Sequence, residues 1–252
     1  MLLNVESLCK SFGGVTAVMD VSLSVEKGDL RSIIGPNGAG KTTLFNLLTG
    51  HISVDSGNIY FKDRKITKLQ PHSIARIGIG RSFQRISIFP RLSVFENVHV
   101  GILSRERKSY KMLWPARRMV RTETLEILEA IGLAHQAGNL AATLPHGDQK
   151  RLELGITLAL GPELLLLDEP TAGMSPEERF SIIELIGNLV KERGLTLLFT
   201  EHDMDIVFSI SERVTVLHQG KVIAEGSPDE IRTNPEVQSV YLGEAEWETT
   251  LT

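Results

Sequence analysis

The stretch GPNGAGKTT, beginning at Gly35, constrains this chain more than any other. It has the spacing G-x-x-x-x-G-K-[ST] and stands between LRSII, a short apolar run with strand character, and TLFNLLTG, a helical pattern ending at Gly50. Strand, glycine-rich loop and helix in that order form a phosphate-holding unit. Glycines let the backbone curl so that several N–H groups converge on one phosphate chain, and the helix N-terminus adds its dipole. In such a unit Gly35, Pro36, Asn37, Gly38, Ala39, Gly40 and Thr43 shape the cradle, Lys41 reaches the β- and γ-phosphates, and the Thr42 hydroxyl holds Mg²⁺. The bland alternative, a glycine turn with a solvated lysine, does not call for the flanking strand and helix.

The remaining pattern fits an α/β body around that unit. VESLCKSF and VTAVMDVSLSVEKG alternate polar and apolar residues about Gly13-Gly14, which predicts an antiparallel hairpin, and GNIYFKD suggests a second strand pair. Pro71 opens a helix, and GIGRSFQ is strand-like. Residues 86–160 are mostly helical in pattern, with breaks at IGL and Gly138, and read as an inserted subdomain. LLLLD, TLLFTEH and RVTVLHQGKVIAEG are strands, the last a hairpin turning at Gln219-Gly220. Ser227, Pro228, Asp229 and Glu230 announce a short tail helix. The expectation is one domain over 1–252: residues 1–85 and 161–252 make an α/β core with an antiparallel β subdomain, and 86–160 a helical one.

Bulk properties narrow the function. A net charge of −4 offers no concentrated basic surface, which disfavours nucleic acid. The single cysteine, Cys9, excludes an intrachain disulfide and fits a reducing compartment. MLLNVESLCK lacks a long apolar stretch after a basic start, and there is no run of about 18 apolar residues, so a membrane role is expected to come through a partner.

The carboxylates come next. LLLLDEP puts Asp168 and Glu169 where a buried strand ends, where ligand-facing groups of open α/β sheets lie. In a phosphate-loop enzyme such an aspartate serves the metal, and a second carboxylate aligns and deprotonates a water. Taken alone, a strand-end Asp-Glu is as often a solvated loop or a cap. His202, after TLLFTE, is placed to hydrogen-bond a γ-phosphate or position the water; alone it would be a structural histidine. Gln84, after GRSF, is a candidate metal and water ligand through the company it keeps.

GPNGAGKTT, Gln84, LPHGDQ (residues 144–149), LLLLDEP and His202, in this order, resemble the ATP-binding cassette of ABC transporters over nearly the whole chain. SFGGVTAV, IFPRLSVFENV, AGMSP and EGSPDEIRTNPEVQSVYLGE narrow the resemblance to ATPase subunits of high-affinity branched-chain amino-acid importers, with urea, amide and lipopolysaccharide systems as near relatives. The resemblance implies ATP and Mg²⁺ as ligands, Glu169 as general base, Lys41, His202 and Gln84 as catalytic, Thr42, Gln84 and Asp168 as metal ligands, and Phe12 stacking on adenine in place of the usual tyrosine. It implies two cassettes closing on two ATP molecules, permease subunits docking near Gln84 and RISIFPRLSVFENV, a solute-binding protein acting indirectly, no nucleic acid, and peripheral placement on the cytoplasmic face of the inner membrane.

In that family the LSGGQ-type segment acts in trans on the other subunit's ATP. Here it comprises Leu144, Pro145, His146, Gly147, Asp148 and Gln149. Gly147 and Gln149 match the pattern, Pro145 replaces the serine and His146 the first glycine. Proline has neither hydroxyl nor N–H, which favours a weakened site and a heterodimer of cassettes. The opposing reading is that backbone donors carry the contact unaided. Ser175 stands where many cassettes have an aspartate; locally it is a helix N-cap with Pro176 and Glu178. The basic run from Arg105 to Arg121 is either a solvated helix face or a contact for anionic lipid or permease.

Overall fold

The structure, a computed structural model, describes residues 1–82, 87–106 and 115–241, without the side chains of 115–119. Strands β1 (Leu3–Phe12) and β2 (Val15–Val25) form the hairpin about Gly13, pairing Phe12 with Val15 and Leu3 with Val25. With β4 (Ser56–Phe61) and β5 (Arg64–Lys65) they make an antiparallel sheet in the order β2-β1-β4-β5.

The second sheet contains β3 (Leu30–Ile34), β6 (Ile79–Arg81), β7 (Leu164–Asp168), β8 (Thr196–Thr200), β9 (Arg213–His218) and β10 (Lys221–Gly226), in the order β10-β9-β3-β8-β7-β6. Only the β9–β10 hairpin is antiparallel. Every residue of β3, β7 and β8 is buried, as parallel strands covered on both faces must be.

Alternation along these strands separates two cores. Leu165, Leu167, Leu197 and Phe199 face a cluster with Val98, Ile127, Leu152 and Ile183. Leu164, Leu166 and Leu198 face the opposite one with Phe45, Leu48, Leu8 and Val21. The period of two in LLLL thus sends neighbours to opposite layers, each fully buried leucine contributing about 2 kcal/mol.

The helices are α1 (Lys41–Leu48), α2 (Pro71–Arg76), α3 (Val94–Arg105), α4 (Pro115–Ala130), α5 (His146–Ala159), α6 (Pro176–Arg193), α7 (Met204–Ile210), α8 (Pro228–Arg232) and α9 (Pro235–Tyr241). Capping boxes fix the starts of α3 (Ser93, Glu96), α6 (Ser175, Glu178) and α8 (Ser227, Glu230), and Gly194 ends α6 in the left-handed conformation. Helices α3, α4 and α5 pack on one another, with Gly101 of α3 close enough to Ala159 that a Cβ there would touch its side chain at 2.7 Å.

The strand expected in TLLFTEH stops at Thr200, which leaves Glu201 and His202 in the loop beyond it. In LPHGDQ the helix begins at His146 with Pro145 as N-cap, which puts the histidine in the first turn; proline's fixed φ, here −55°, suits that entry. Phe83, Gln84, Arg85 and Ile86 lie outside the described residues, as do 107–114 in the basic run and the LGE of YLGE.

Candidate nucleotide site

The phosphate loop links β3 to α1, and its shape is set by backbone walls. Gly35 has φ 152° and Gly40 φ 106°; a Cβ on Gly35 would run into the Leu217 carbonyl oxygen, and one on Gly40 into that of Ala17. The Gly220 N–H donates to Ala39 O at 2.9 Å and the Met19 N–H to Gly220 O at 2.7 Å, so the β9–β10 turn and β2 clamp the loop from behind. Gly38, at φ 79°, faces open space. Gly40 caps α1 in a left-handed conformation without any side-chain bond to the first-turn amides. Lys41, only 6 % exposed, donates to the carbonyls of Gly35 and, at 3.2 Å, Pro36, which holds its ammonium over the loop. Thr42 is exposed and Thr43 half-buried. A cradle of small residues, open at Gly38 and walled by backbone carbonyls at Gly35 and Gly40, at a helix start without a side-chain cap and beside a fixed cation, fits a phosphate chain.

Asp168 ends β7 at 2 % exposure. Its Oδ1 accepts from the Thr200 hydroxyl at 2.8 Å, and its Oδ2 meets Arg81 Nη2 at 3.2 Å. Arg81 ends β6, and its Nη1 also donates to Asn46 Oδ1 at 2.8 Å and Thr49 Oγ1 at 3.0 Å on α1. Burial pushes the Arg81 guanidinium below its ordinary pKa, and Asp168 opposes that shift. Among the described residues no group of three or more His, Cys, Asp or Glu side chains is gathered for a metal. The oxygens of Thr42 and Asp168 suit Mg²⁺, which commonly takes few protein ligands and completes its shell with phosphates and water.

Glu169 follows in the left-handed region, φ 51°, unusual for a residue with a Cβ. It is held there because its N–H donates to Thr200 O and Oγ1, both at 3.1 Å, where the β7–β8 ladder ends. The carboxylate is thereby turned from the strand line toward His202, whose Nε2 lies 2.7 Å from Glu169 Oε1. An ionised carboxylate only accepts, so Nε2 carries the hydrogen. The candidate base and the candidate γ-phosphate ligand thus fix each other's orientation.

Beneath them sits Glu201, 4 % exposed. Its Oε1 accepts from Thr171 N at 2.9 Å and Thr171 Oγ1 at 2.7 Å, its Oε2 from His202 N at 3.2 Å. Burial raises its pKa, the Thr171 bonds oppose this, and the charge of Glu169 adds to the rise. Sequence reasoning passed over Arg81, Thr200 and Glu201. The available signal was charge beside apolar strand: Arg81 closes GIGR, and Glu201 sits between TLLFT and His202.

Phe12 is 49 % exposed at the end of β1, with Lys10 Nζ 5.4 Å from its ring centre. Lys10 is held by Asp55 at 2.6 Å, and Asp55 also accepts from Ser11 N at 2.8 Å. LPHGDQ lies elsewhere. Leu144 is buried, Pro145 and His146 are exposed, and Gln149 donates back to Leu144 O at 2.9 Å. Asp148 accepts from Gln136 at 2.7 Å and lies 4.0 Å from Arg151. A Cβ on Gly173 would meet the His146 ring at 3.4 Å, and one on Gly147 would meet Glu178 Oε1 at 3.1 Å.

A family model described as ABC transporter matches residues 18–172, and one described as branched-chain amino acid ATP-binding cassette transporter matches 221–246. The chain is 42 % identical to the high-affinity branched-chain amino acid transport ATP-binding protein LivG of Salmonella typhimurium, covering 97 % of this chain and 98 % of that one. It is 41 % identical to BraF of Pseudomonas aeruginosa, a protein of the same description, at 97 % and 98 % coverage. The lipopolysaccharide export protein LptB of Haemophilus influenzae is 37 % identical, at 96 % and 98 % coverage. Among solved structures, the ADP conformation of an ATP-binding cassette of an ABC transporter matches with a TM-score of 0.85 and 34 % identity, over 96 % of this chain and 99 % of that one. A dimeric post-hydrolysis cassette bound to ADP and Pi matches with a TM-score of 0.78 and 26 % identity, over 90 % and 99 %.

Proposed function

The chain belongs to the ABC transporter family of ATP-binding subunits, and from that premise we propose that it is the ATP-hydrolysing motor of an importer of branched-chain amino acids or related small polar solutes. The observation that carries the reading is the meeting, at the carboxyl ends of β3, β7 and β8, of a walled phosphate loop, the buried Asp168 and the Glu169–His202 pair. The solute class is supported by the match over 221–246 and by the names of LivG and BraF, which outweigh the more distant LptB.

The reaction is phosphoryl transfer from ATP to water. Lys41 and the loop amides offset phosphate charge, and Phe12 offers a face for adenine. Thr42 and Asp168, with Gln84 from outside the described residues, would hold Mg²⁺, whose charge would offset that of the phosphates. Glu169 takes the proton of the attacking water, and its bond to His202 Nε2 holds the imidazole beside the place of the γ-phosphate. Leu144, Pro145, His146, Gly147, Asp148 and Gln149 act in trans on ATP held by a second cassette; the dimeric relative supports such pairing. The loss of a serine at Pro145 favours a non-identical partner. Permeases dock in the groove between the core and the helical subdomain, near Gln84 and RISIFPRLSVFENV. No helix among the described residues is long and apolar enough to cross a membrane. In the proposed assembly the motor is held on the cytoplasmic face of the membrane by those permeases, and a solute-binding protein serves it only indirectly.

Isothermal titration of the purified chain with ATP and Mg²⁺ tests the first step. Saturable heat is expected; its absence overturns the nucleotide site and the motor together.

A further inference from the structure

The ion pair between Arg81 and Asp168 is not explained by the hydrolytic roles. Its side chains are 5 % and 2 % exposed. A carboxylate so deeply buried needs compensation, and here one oxygen has a hydroxyl and the other a guanidinium. Arg81 is not a loose side chain that happens to reach across. Its other amino group is pinned by Asn46 and Thr49 at the end of α1, and its guanidinium lies 5.8 Å from the centre of the Phe45 ring. The cation is therefore held in place by α1 and its C-cap independently of its bond to Asp168.

We propose that Arg81 is a positioning residue which serves as the standing counter-charge of the metal-site carboxylate and makes Mg²⁺ binding conditional on the triphosphate. The inference rests on the reading of Asp168 as a metal ligand given above. A divalent cation approaching Asp168 alone meets an oxygen already paired and a fixed positive charge. Nor, among the described residues, is a group of three or more His, Cys, Asp or Glu side chains gathered to hold it without the phosphates. A triphosphate in the loop brings the negative charge that offsets both Lys41 and Arg81, and only then does the carboxylate gain from exchanging its partner for the metal. The order of loading, nucleotide before or with metal, follows from where Arg81 is anchored.

The test compares the purified full chain with Arg81→Gln, which removes the charge while keeping a hydrogen-bonding head, and with Arg81→Lys, which keeps the charge without the fork. Thermal denaturation is recorded without ligand, with ATP and chelator, and with ATP and Mg²⁺, and Mg²⁺ is titrated calorimetrically into the ATP-loaded protein. Arg81→Gln should melt lower than wild type without metal, show a larger rise on adding Mg²⁺ to the ATP-loaded form, and bind Mg²⁺ roughly tenfold more tightly. Arg81→Lys should keep near wild-type Mg²⁺ affinity even where it melts lower.

A purely structural tie would lower all three melting points equally and leave Mg²⁺ affinity unchanged, which overturns the proposal. If wild type shows no Mg²⁺-dependent rise over ATP alone, the metal-site reading itself falls, and this inference with it; a normal rise in wild type that Arg81→Gln merely reproduces sinks only the inference. Should Arg81→Gln be too unstable to purify, the anchor is loosened instead with Thr49→Val, which removes one of the bonds pinning Arg81. Mg²⁺ affinity of the ATP-loaded form is then expected to rise, and an unchanged affinity overturns the proposal.

Discussion

Helices α1 and α5 both begin beside a glycine, Gly40 just before the first and Gly147 in the first turn of the second, and neither start is capped by a side chain. There the likeness ends. The α1 loop is walled by the Ala17 and Leu217 carbonyls, carries Lys41 at its first helical position, and has no acid in its first turn. The α5 entrance is exposed at Pro145 and His146 and places Asp148 in its first turn. An acid there stabilises the helix itself but competes with any external anion for the same amides. Asp148 is drawn aside by Gln136 and Arg151. In the proposed reading one helix end is thus a finished anion site and the other half of one, completed from outside.

The sharpest way to break that contrast is to disable chemistry on the finished side while leaving binding. Glu169→Gln should bind ATP with Mg²⁺ about as wild type yet hydrolyse it roughly 10² to 10⁴-fold more slowly, the usual cost of losing a general base. Single-turnover kinetics check this, and wild-type turnover would remove Glu169 from the role. Next in size is the wall itself. Gly40→Ala puts a Cβ against the Ala17 carbonyl oxygen at φ 106°, which should cost about 2–3 kcal/mol of stability or displace the loop from β2. Chemical denaturation together with ATP titration reads both effects; an unaltered variant would show the wall to be soft.

The contrast was only partly legible in the sequence. The phosphate loop, the Asp168–Glu169 strand and the hairpins at Gly13 and Gln219-Gly220 are local patterns, fixed by residues a few positions apart, and each appears where the pattern puts it. Arg81, Thr200 and Glu201 were hidden because their meaning depends on strand order. β6 and β8 flank β7 only after the chain has crossed over, and nothing within a few residues of Arg81 mentions Asp168. The positive φ of Glu169 was equally invisible, since it follows from Thr200 across the sheet.

On the unfinished side, Pro145→Ser restores a hydroxyl and an N–H at the mouth of α5. With hydrogen bonds to charged groups worth about 1.5–3 kcal/mol, ATP turnover of the assembled transporter should rise about tenfold if that site limits the cycle. An unchanged rate would mean that backbone donors already suffice, and the asymmetry between α1 and α5 would lose its functional sense.

Glu201 joins the two regions, and its substitution should have the smallest effect. Through Thr171 it holds the segment that runs from Glu169 toward Gly173, where His146 packs. Its pKa is raised in the fold, so its protonated form is favoured there: stability is fully present below the unfolded value, about 4.3, and falls as pH rises through the higher folded one. Glu201→Gln abolishes that loss. It keeps an oxygen for Thr171 but sets an NH₂ against the His202 N–H, costing one hydrogen bond of about 1 kcal/mol. The two effects oppose each other, so stability at neutral pH should change by no more than about 1 kcal/mol while its decline above pH ~4.3 flattens. Denaturation midpoints across that range decide the matter. A steep decline retained in the variant would assign the titration to another group, and a large loss at neutral pH would mean that the His202 amide bond, not the Thr171 pair, is what keeps the joint together.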